Sequence, residues 1–305
     1  MRIVFMGTPD FAVPSLEALV AAGHEVCGVF CQPDKPVGRH QNKLQPPAVK
    51  VCAQSHNIPV FQPTKLRDGT ALAQLQELNP ELIVVAAYGC ILPDDILALP
   101  PKGCINVHSS LLPKYRGAAP INWAVVNGEK ETGVTIMHMA TELDAGDIID
   151  QVKTPIDPDE NVEAVHDRLA QLGGELLVKA DIAAGTAKRT PQDHSQATLA
   201  PMLSRALSPI DWSRSAKEIH NQVRGLTPWP ATSTDILGDT IKVFAVEEPG
   251  IETGKTPGTV IAANKAGIDV ACGDGKVIRL TEIQAPGSRR MSAANYLAGH
   301  PVTVG

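Results

Sequence analysis

Short apolar runs alternate with amphipathic stretches through the first two thirds of the chain, and that alternation predicts an open, mostly parallel α/β sheet. Residues 2–7 form an apolar run closed by Gly7, and a helix-period pattern follows over 13–22, which is how a βα unit opens. Residues 25–31 and 81–88 read as further strands. The second is apolar and β-branched throughout, as a central strand covered on both faces should be. Helices are predicted over 48–56, 72–78, 118–126 and 161–184, strands over 59–61, 132–139 and 148–150, and a long connection without periodicity over 32–47.

From Ile210 the texture changes. An amphipathic segment over 213–224 precedes short strands over 241–246, 258–262, 268–272 and 277–283, separated by glycine-bearing turns. Several short strands at roughly ten-residue spacing predict a small β-barrel or sandwich, and an OB-like barrel of about five strands fits the length. The polar, proline-bearing stretch before it reads as a linker. The expected organisation is a Rossmann-like domain over 1–188, a linker over 189–208 and an OB-like domain over 209–305.

The chemistry concentrates in residues 104–120. In a strand successive side chains point to opposite faces, so Asn106 and His108 project together while Ile105 and Val107 enter the core. A Pro- and Gly-punctuated loop follows, through Pro113 to Gly117, at the kind of strand exit where α/β sheets place ligands. Asp144 lies in a connection between two predicted strands. There it either bonds its own turn backbone or brings a carboxylate to the same rim.

Asn106, His108 and Asp144 together suit acyl transfer. An amide and an imidazolium can donate to a tetrahedral oxyanion, and an imidazole oriented by a carboxylate can move the amine proton near neutral pH. Each such element contributes about 10²–10⁴-fold in rate. There is no G-x-S-x-G elbow, so Ser109 and Ser110 are poor nucleophiles and direct transfer is preferred. His138 faces either the pocket or the core. The turn Gly7-Thr8-Pro9-Asp10 lacks the glycines of a dinucleotide fingerprint, which disfavours a nicotinamide cofactor.

Composition narrows the picture further. At 305 residues with 43% hydrophobic and 20% charged side chains, the chain is globular and long enough for two domains. No leader-like start and no run of about 18 apolar residues occurs, so a cytoplasmic location is expected. The six cysteines form no C-x-x-C pair, favouring buried thiols over disulfides or a metal site. The net charge of −6 excludes a generally basic nucleic-acid binder. It leaves room for a local basic arm, because 32–47 carries Lys35, Arg39, His40 and Lys43, with Lys50 just after, against Asp34 alone. A solvated loop and a phosphate contact weigh equally for that arm.

The run Asn106-Val-His108-Ser-Ser-Leu-Leu-Pro113 with Tyr115-Arg-Gly117, followed by Leu143-Asp144-Ala-Gly146, resembles the signature of the folate-dependent formyltransferases. The opening Gly7-Thr-Pro-Asp-Phe11, the arm to Arg39, the Gly89-to-Pro93 turn and Pro228-Trp-Pro230 look specifically like the methionyl-tRNA formyltransferase family. The resemblance implies transfer of the formyl group of 10-formyltetrahydrofolate to the α-amine of methionyl initiator tRNA, for translation initiation, by direct amine attack through a tetrahedral intermediate. It makes Asn106, His108 and Asp144 catalytic. Ser110, Leu111, Leu112, Pro113, Tyr88, Ile91 and Leu92 would line the folate site, and Arg39, His40 and Lys43 would contact the tRNA. The barrel would hold the tRNA body, with a basic strip formed by the arm, Lys114, Arg116 and the interdomain groove. No metal is expected, and a monomer is.

The chain departs from the family pattern at Ser109, where Ala or Pro is usual, and in an arm less basic after Arg39. Two rivals stay open. One is another member of the superfamily acting on a sugar nucleotide or a ribonucleotide, or hydrolysing the folate. The other is a non-catalytic binding module on the same fold.

Overall fold

The computed structural model describes residues 1–38, 41–180 and 187–305, so Arg39 and His40 of the arm lie outside the described residues. Packing divides the chain into two compact units that are not continuous in sequence. One comprises Met1–Gly117, Glu131–Thr154 and His166–Ala200, and the other Ala118–Lys130, Pro155–Val165 and Pro201–Gly305.

The first unit is built on a seven-stranded sheet. Its spatial order is Ile148–Pro155, Glu131–His138, Cys104–His108, Leu82–Ala86, Arg2–Gly7, Glu25–Phe30 and Val60–Phe61. Arg2–Gly7 pairs in parallel with both Glu25–Phe30 and Leu82–Ala86, and Leu82–Ala86 pairs in parallel with Cys104–His108. The central strand is buried at all five positions, which is what its unbroken apolar run requires. Val4, Met6, Phe30, Ile83, Val85 and Ile96 form a core on this sheet, each fully or almost fully buried.

The neighbour of Cys104–His108 on the other side, Glu131–His138, runs antiparallel, with Asn106 opposite Met137 and His108 opposite Thr135. The sheet is therefore mostly parallel with an antiparallel flank. The predicted strand over 148–150 continues to Pro155. The helix predicted over 161–184 runs Val162–Lys179, and 181–186 lie outside the described residues.

Two stretches without periodicity acquire structure from tertiary pairing. Within the arm, Lys35–Val37 and Lys43–Gln45 form an antiparallel hairpin, its turn using positive φ at Gly38 (89°) and Gln41 (51°). Residues 187–200, in and beside the expected linker, pack into the first unit, where Leu199–Ala200 pairs in parallel with Arg116–Gly117. Both pairings are only two or three residues long, too short to leave a period in the sequence.

The second unit carries the antiparallel sheet predicted from the glycine-spaced strands. Thr232–Thr234, Ile241–Glu247, Val277–Gln284, Gly267–Ala271 and Val260–Asn264 follow one another in space, with Met291–Ser292 also on Val277–Gln284. No ladder closes the two ends of that path among the described residues. Helix Ala216–Leu226 packs on it, started by a capping box between Ser215 and Glu218. Ile219 and Val223 of this helix join Ile241, Val243, Ile268 and Ile283 in the core. No helix among the described residues is long and apolar enough to cross a membrane.

Candidate active site

The strand Cys104–His108 delivers Asn106 and His108 to one face, as alternation requires, while Ile105 and Val107 are buried to 1% and 2% exposure. Asn106 is half-buried, and among the described residues its amide has no hydrogen-bonding side chain or backbone partner. A polar side chain held at a strand exit without a partner is free to bind something else.

His108 is buried and held from both ends. Its Nε2 lies 3.0 Å from the Tyr115 carbonyl oxygen. A carbonyl only accepts, so Nε2 carries the proton in that contact and the tautomer is fixed. Nδ1 then faces the Asp144 carboxylate, 3.7 Å from Oδ2. That is too long for a hydrogen bond and close enough for charge interaction.

Asp144 does not spend its carboxylate on its own turn. Its Oδ2 accepts the Gly117 amide N–H at 2.8 Å, and its backbone sits in the left-handed region at φ 50°, which Asp tolerates better than most residues. The connection is thereby turned so that the carboxylate faces the imidazole. Gly146 lets it approach: a Cβ there would lie 1.8 Å from the His138 carbonyl oxygen.

The loop after His108 is braced by groups that the sequence did not single out. The Thr135 hydroxyl donates to the Ser110 carbonyl at 2.7 Å and accepts the Leu112 amide at 3.1 Å. Gln151 Nε2 donates to the Leu112 carbonyl and to Thr135 Oγ1, each at 2.9 Å. Gln192 joins the two halves of the rim. Its Nε2 donates to the carbonyls of Asp144 (2.8 Å) and Gly146 (2.7 Å), and its Oε1 accepts from Arg116 Nη2 at 2.8 Å. The alternation of residues 132–139 could have flagged Thr135 as facing His108. Nothing local marks Gln192, which lies 48 residues from its partner Asp144.

These contacts revise the expected basic strip. Arg116 is 6% exposed and its guanidinium is held by Gln192, by His194 Nδ1 (3.0 Å) and, at 3.8 Å, by the exposed Glu142 carboxylate, so it supports the rim from inside. Lys50 is likewise paired, 2.9 Å from Asp34 Oδ1. Lys35 and Lys43 remain exposed on the hairpin.

The remaining residues named for the site divide by exposure. Ser110 is fully buried and donates its hydroxyl to the Lys114 carbonyl at 2.6 Å, so it shapes the loop through a turn. Leu112, next to the cis Leu112–Pro113 peptide, is buried, whereas Leu111 and Pro113 are half-buried. The Tyr88 side chain points into the core with Leu92; its hydroxyl has no partner among the described residues, and burial pushes its phenol well above the ordinary value. Ile91 is 69% exposed and Leu143 is 55% exposed. The loops that carry these two are tied together by Thr141 Oγ1, which donates to Asp94 Oδ1 at 2.9 Å. His138 is buried beneath the 140–147 connection, with Nε2 unpartnered among the described residues. Desolvation, and then Arg189, lower its pKa.

A mostly parallel sheet followed by an antiparallel domain is the architecture that carries this rim, and sequence similarity over both parts of the chain identifies its family. Residues 1–180 match the formyl transferase family and residues 202–301 the formyl transferase C-terminal domain; the chain belongs to this family. Its relatives include proteins called methionyl-tRNA formyltransferase from Trichlorobacter lovleyi and Acetivibrio thermocellus. The first is 51% identical, covering 100% of this chain and 96% of the relative. The second is 48% identical, covering 100% and 98%. Among solved structures, an N-formyltransferase from Helicobacter canadensis in complex with folinic acid and dTDP-3-aminofucose superposes with a TM-score of 0.72 at 20% identity, over 92% of this chain and 98% of that one. HypX from Aquifex aeolicus in complex with tetrahydrofolic acid gives 0.65 at 19% identity, over 100% of this chain and 48% of that one. These two share the fold.

Proposed function

We propose that this chain transfers the formyl group of 10-formyltetrahydrofolate to the α-amine of methionine carried on initiator tRNA. The observation that carries the reading is the full-length similarity, 51% identity over 306 residues, to a relative named for that activity. The rim supports the chemistry. Asn106, unpartnered among the described residues at the strand exit, donates its amide to the oxyanion that forms as the amine attacks the formyl carbon. The Tyr115 carbonyl holds His108 by Nε2, so Nδ1 is the nitrogen that handles the amine proton. Asp144 stabilises the ring as that proton arrives.

Folate fits the groups present. Ile91 and Leu143 offer exposed apolar surface on two joined loops, suited to covering a flat heterocycle. Two features of this chain suit a tRNA. Lys35 and Lys43 stand exposed on the hairpin. In the second unit a cleft of about 520 Å³ is lined by Arg205, Lys242 and Trp229, the last 52% exposed. Cations beside an open aromatic face bind the nucleic-acid backbone and stack bases.

The test is to mix the protein with 10-formyltetrahydrofolate and charged initiator tRNA and to assay for formyl-methionine. Formyl-methionine on the tRNA supports the reading. Hydrolysis of the folate without transfer, or transfer only to a sugar or ribonucleotide amine, overturns it.

A further inference from the structure

The first unit brings together a carboxylate, a thiol and an imidazole that the rim does not use. Glu17 lies on helix Val13–Ala21; Cys52 lies on helix Ala48–Ser55, and His56 is that helix's C-cap residue. Cys52 and His56 are four residues apart and so share one helix face. Buried Leu16 and Leu19 anchor the first helix, and buried Val49 and Ala53 the second. Glu17 is thereby placed against that face: its Oε1 is 3.1 Å from Cys52 Sγ and its Oε2 is 2.9 Å from His56 Nε2. One ligand atom from each residue lies within 4.8 Å of the others.

We propose that Glu17, Cys52 and His56 form a three-ligand site for a borderline divalent transition metal, zinc first, with water as the fourth ligand. The donor set is mixed soft and nitrogen, which favours zinc over magnesium or calcium. Tetrahedral coordination at about 2.0–2.3 Å puts donor atoms about 3.3–3.6 Å apart. The two Glu17 contacts are made by different carboxylate oxygens, one to each partner; with one ligand atom per residue all within 4.8 Å, no donor separation has to close by more than about 1.5 Å. Access is present: Glu17 also borders an open surface cleft of about 610 Å³, with Val13, Pro14 and Glu175. On binding, the Cys52 S–H bond breaks and its proton goes to solvent while the sulfur lone pair forms the metal bond. His56 binds through Nε2, its ring proton moving to Nδ1. The ion cross-links the two helices.

Cobalt(II) and zinc(II) titrations of the full-length protein test this. One equivalent of cobalt should give a thiolate-to-cobalt charge-transfer band that zinc abolishes. Cys52→Ser should remove the band, and His56→Gln and Glu17→Gln should weaken binding by at least about 10–100-fold, the range seen when even an outer hydrogen-bond partner is lost. A wild-type protein that gives no thiolate band overturns the proposal without recourse to variants. So does a band that survives Cys52→Ser, or zinc binding unchanged by His56→Gln in a variant whose circular dichroism matches the parent.

Discussion

Gln192 is 5% exposed and holds three partners at once, so its replacement is the sharpest test of how the rim is held. Gln192→Leu keeps the volume and deletes every polar atom. The Asp144 and Gly146 carbonyls each lose a neutral donor, at about 1 kcal/mol apiece, and the Arg116 guanidinium loses a charge-assisted acceptor, at about 1.5–3 kcal/mol. The total is on the order of 4 kcal/mol, large against a typical folding stability of about 5–15 kcal/mol. Because two of the three bonds end on the connection that carries Asp144, part of the loss should appear as displacement of that carboxylate. If a third does, kcat falls about tenfold. Gln192→Glu separates the two halves, since it keeps an acceptor for Arg116 but turns an oxygen toward the two carbonyls. It should keep Arg116 paired, lose stability through the two missing donor bonds and the oxygen–oxygen repulsion, and lose activity as the Asp144 connection shifts. Thermal unfolding and formyl-transfer kinetics on both variants supply the measurements. A Gln192→Leu protein destabilised by less than about 1 kcal/mol with unchanged kcat would refute the reasoning.

Four further outcomes are expected. Asn106→Ala and Asp144→Asn should each lower kcat by about 10²–10⁴-fold with little change in unfolding temperature; parental activity in either removes that residue from the chemistry. Gly146→Ala forces a Cβ to 1.8 Å from the His138 carbonyl oxygen, so the 140–147 connection must move, and soluble yield or melting temperature should drop sharply. His138 has a folded pKa below its ordinary 6.5, so the unfolded chain binds the extra proton first. Its contribution is present above about 6.5 and lost as pH falls below it; stability curves of wild type and His138→Gln should converge at acidic pH, and parallel curves would count against this. Trp229→Ala and Lys242→Ala should weaken tRNA binding, and only the lysine change should flatten its salt dependence, by a slope of about one; equal slopes in both would dissociate the cleft from the tRNA.

What the sequence revealed and what it concealed divide along contact range. The Asn106–His108 pair was legible because strand alternation is a local rule, and the OB-like strands because glycine turns space them. Asp144 was ambiguous from position alone, since whether an Asp bonds its own turn depends on where the Gly117 amide lies. Gln192 and Arg116 could not be read at all: a buried guanidinium and an exposed one look the same in sequence, and their partnership spans 76 residues. The Glu17, Cys52 and His56 group escaped notice for a similar reason, because its third ligand comes from a different helix and no paired spacing marks it.

The interrupted course of the second unit bears on how the chain can be cut and on the order in which it folds. Helix Ala216–Leu226 depends on residues made long before it. Asn122 Nδ2 donates to the Gly225 carbonyl at 2.9 Å, a Cβ on Gly225 would lie 2.4 Å from Val126 Cγ2, and Arg224 Nη1 donates to the Glu160 carbonyl at 2.9 Å. A fragment beginning at Pro201 would lack all three contacts, leaving the buried Arg224 with Asn221 Oδ1 but without the backbone acceptors of its Nη1. During synthesis the segments Ala118–Lys130 and Pro155–Val165 must wait until that helix leaves the ribosome before they can make these contacts. The C-terminal unit is thus no detachable appendage: its last-made strands complete a structure begun near the middle of the chain.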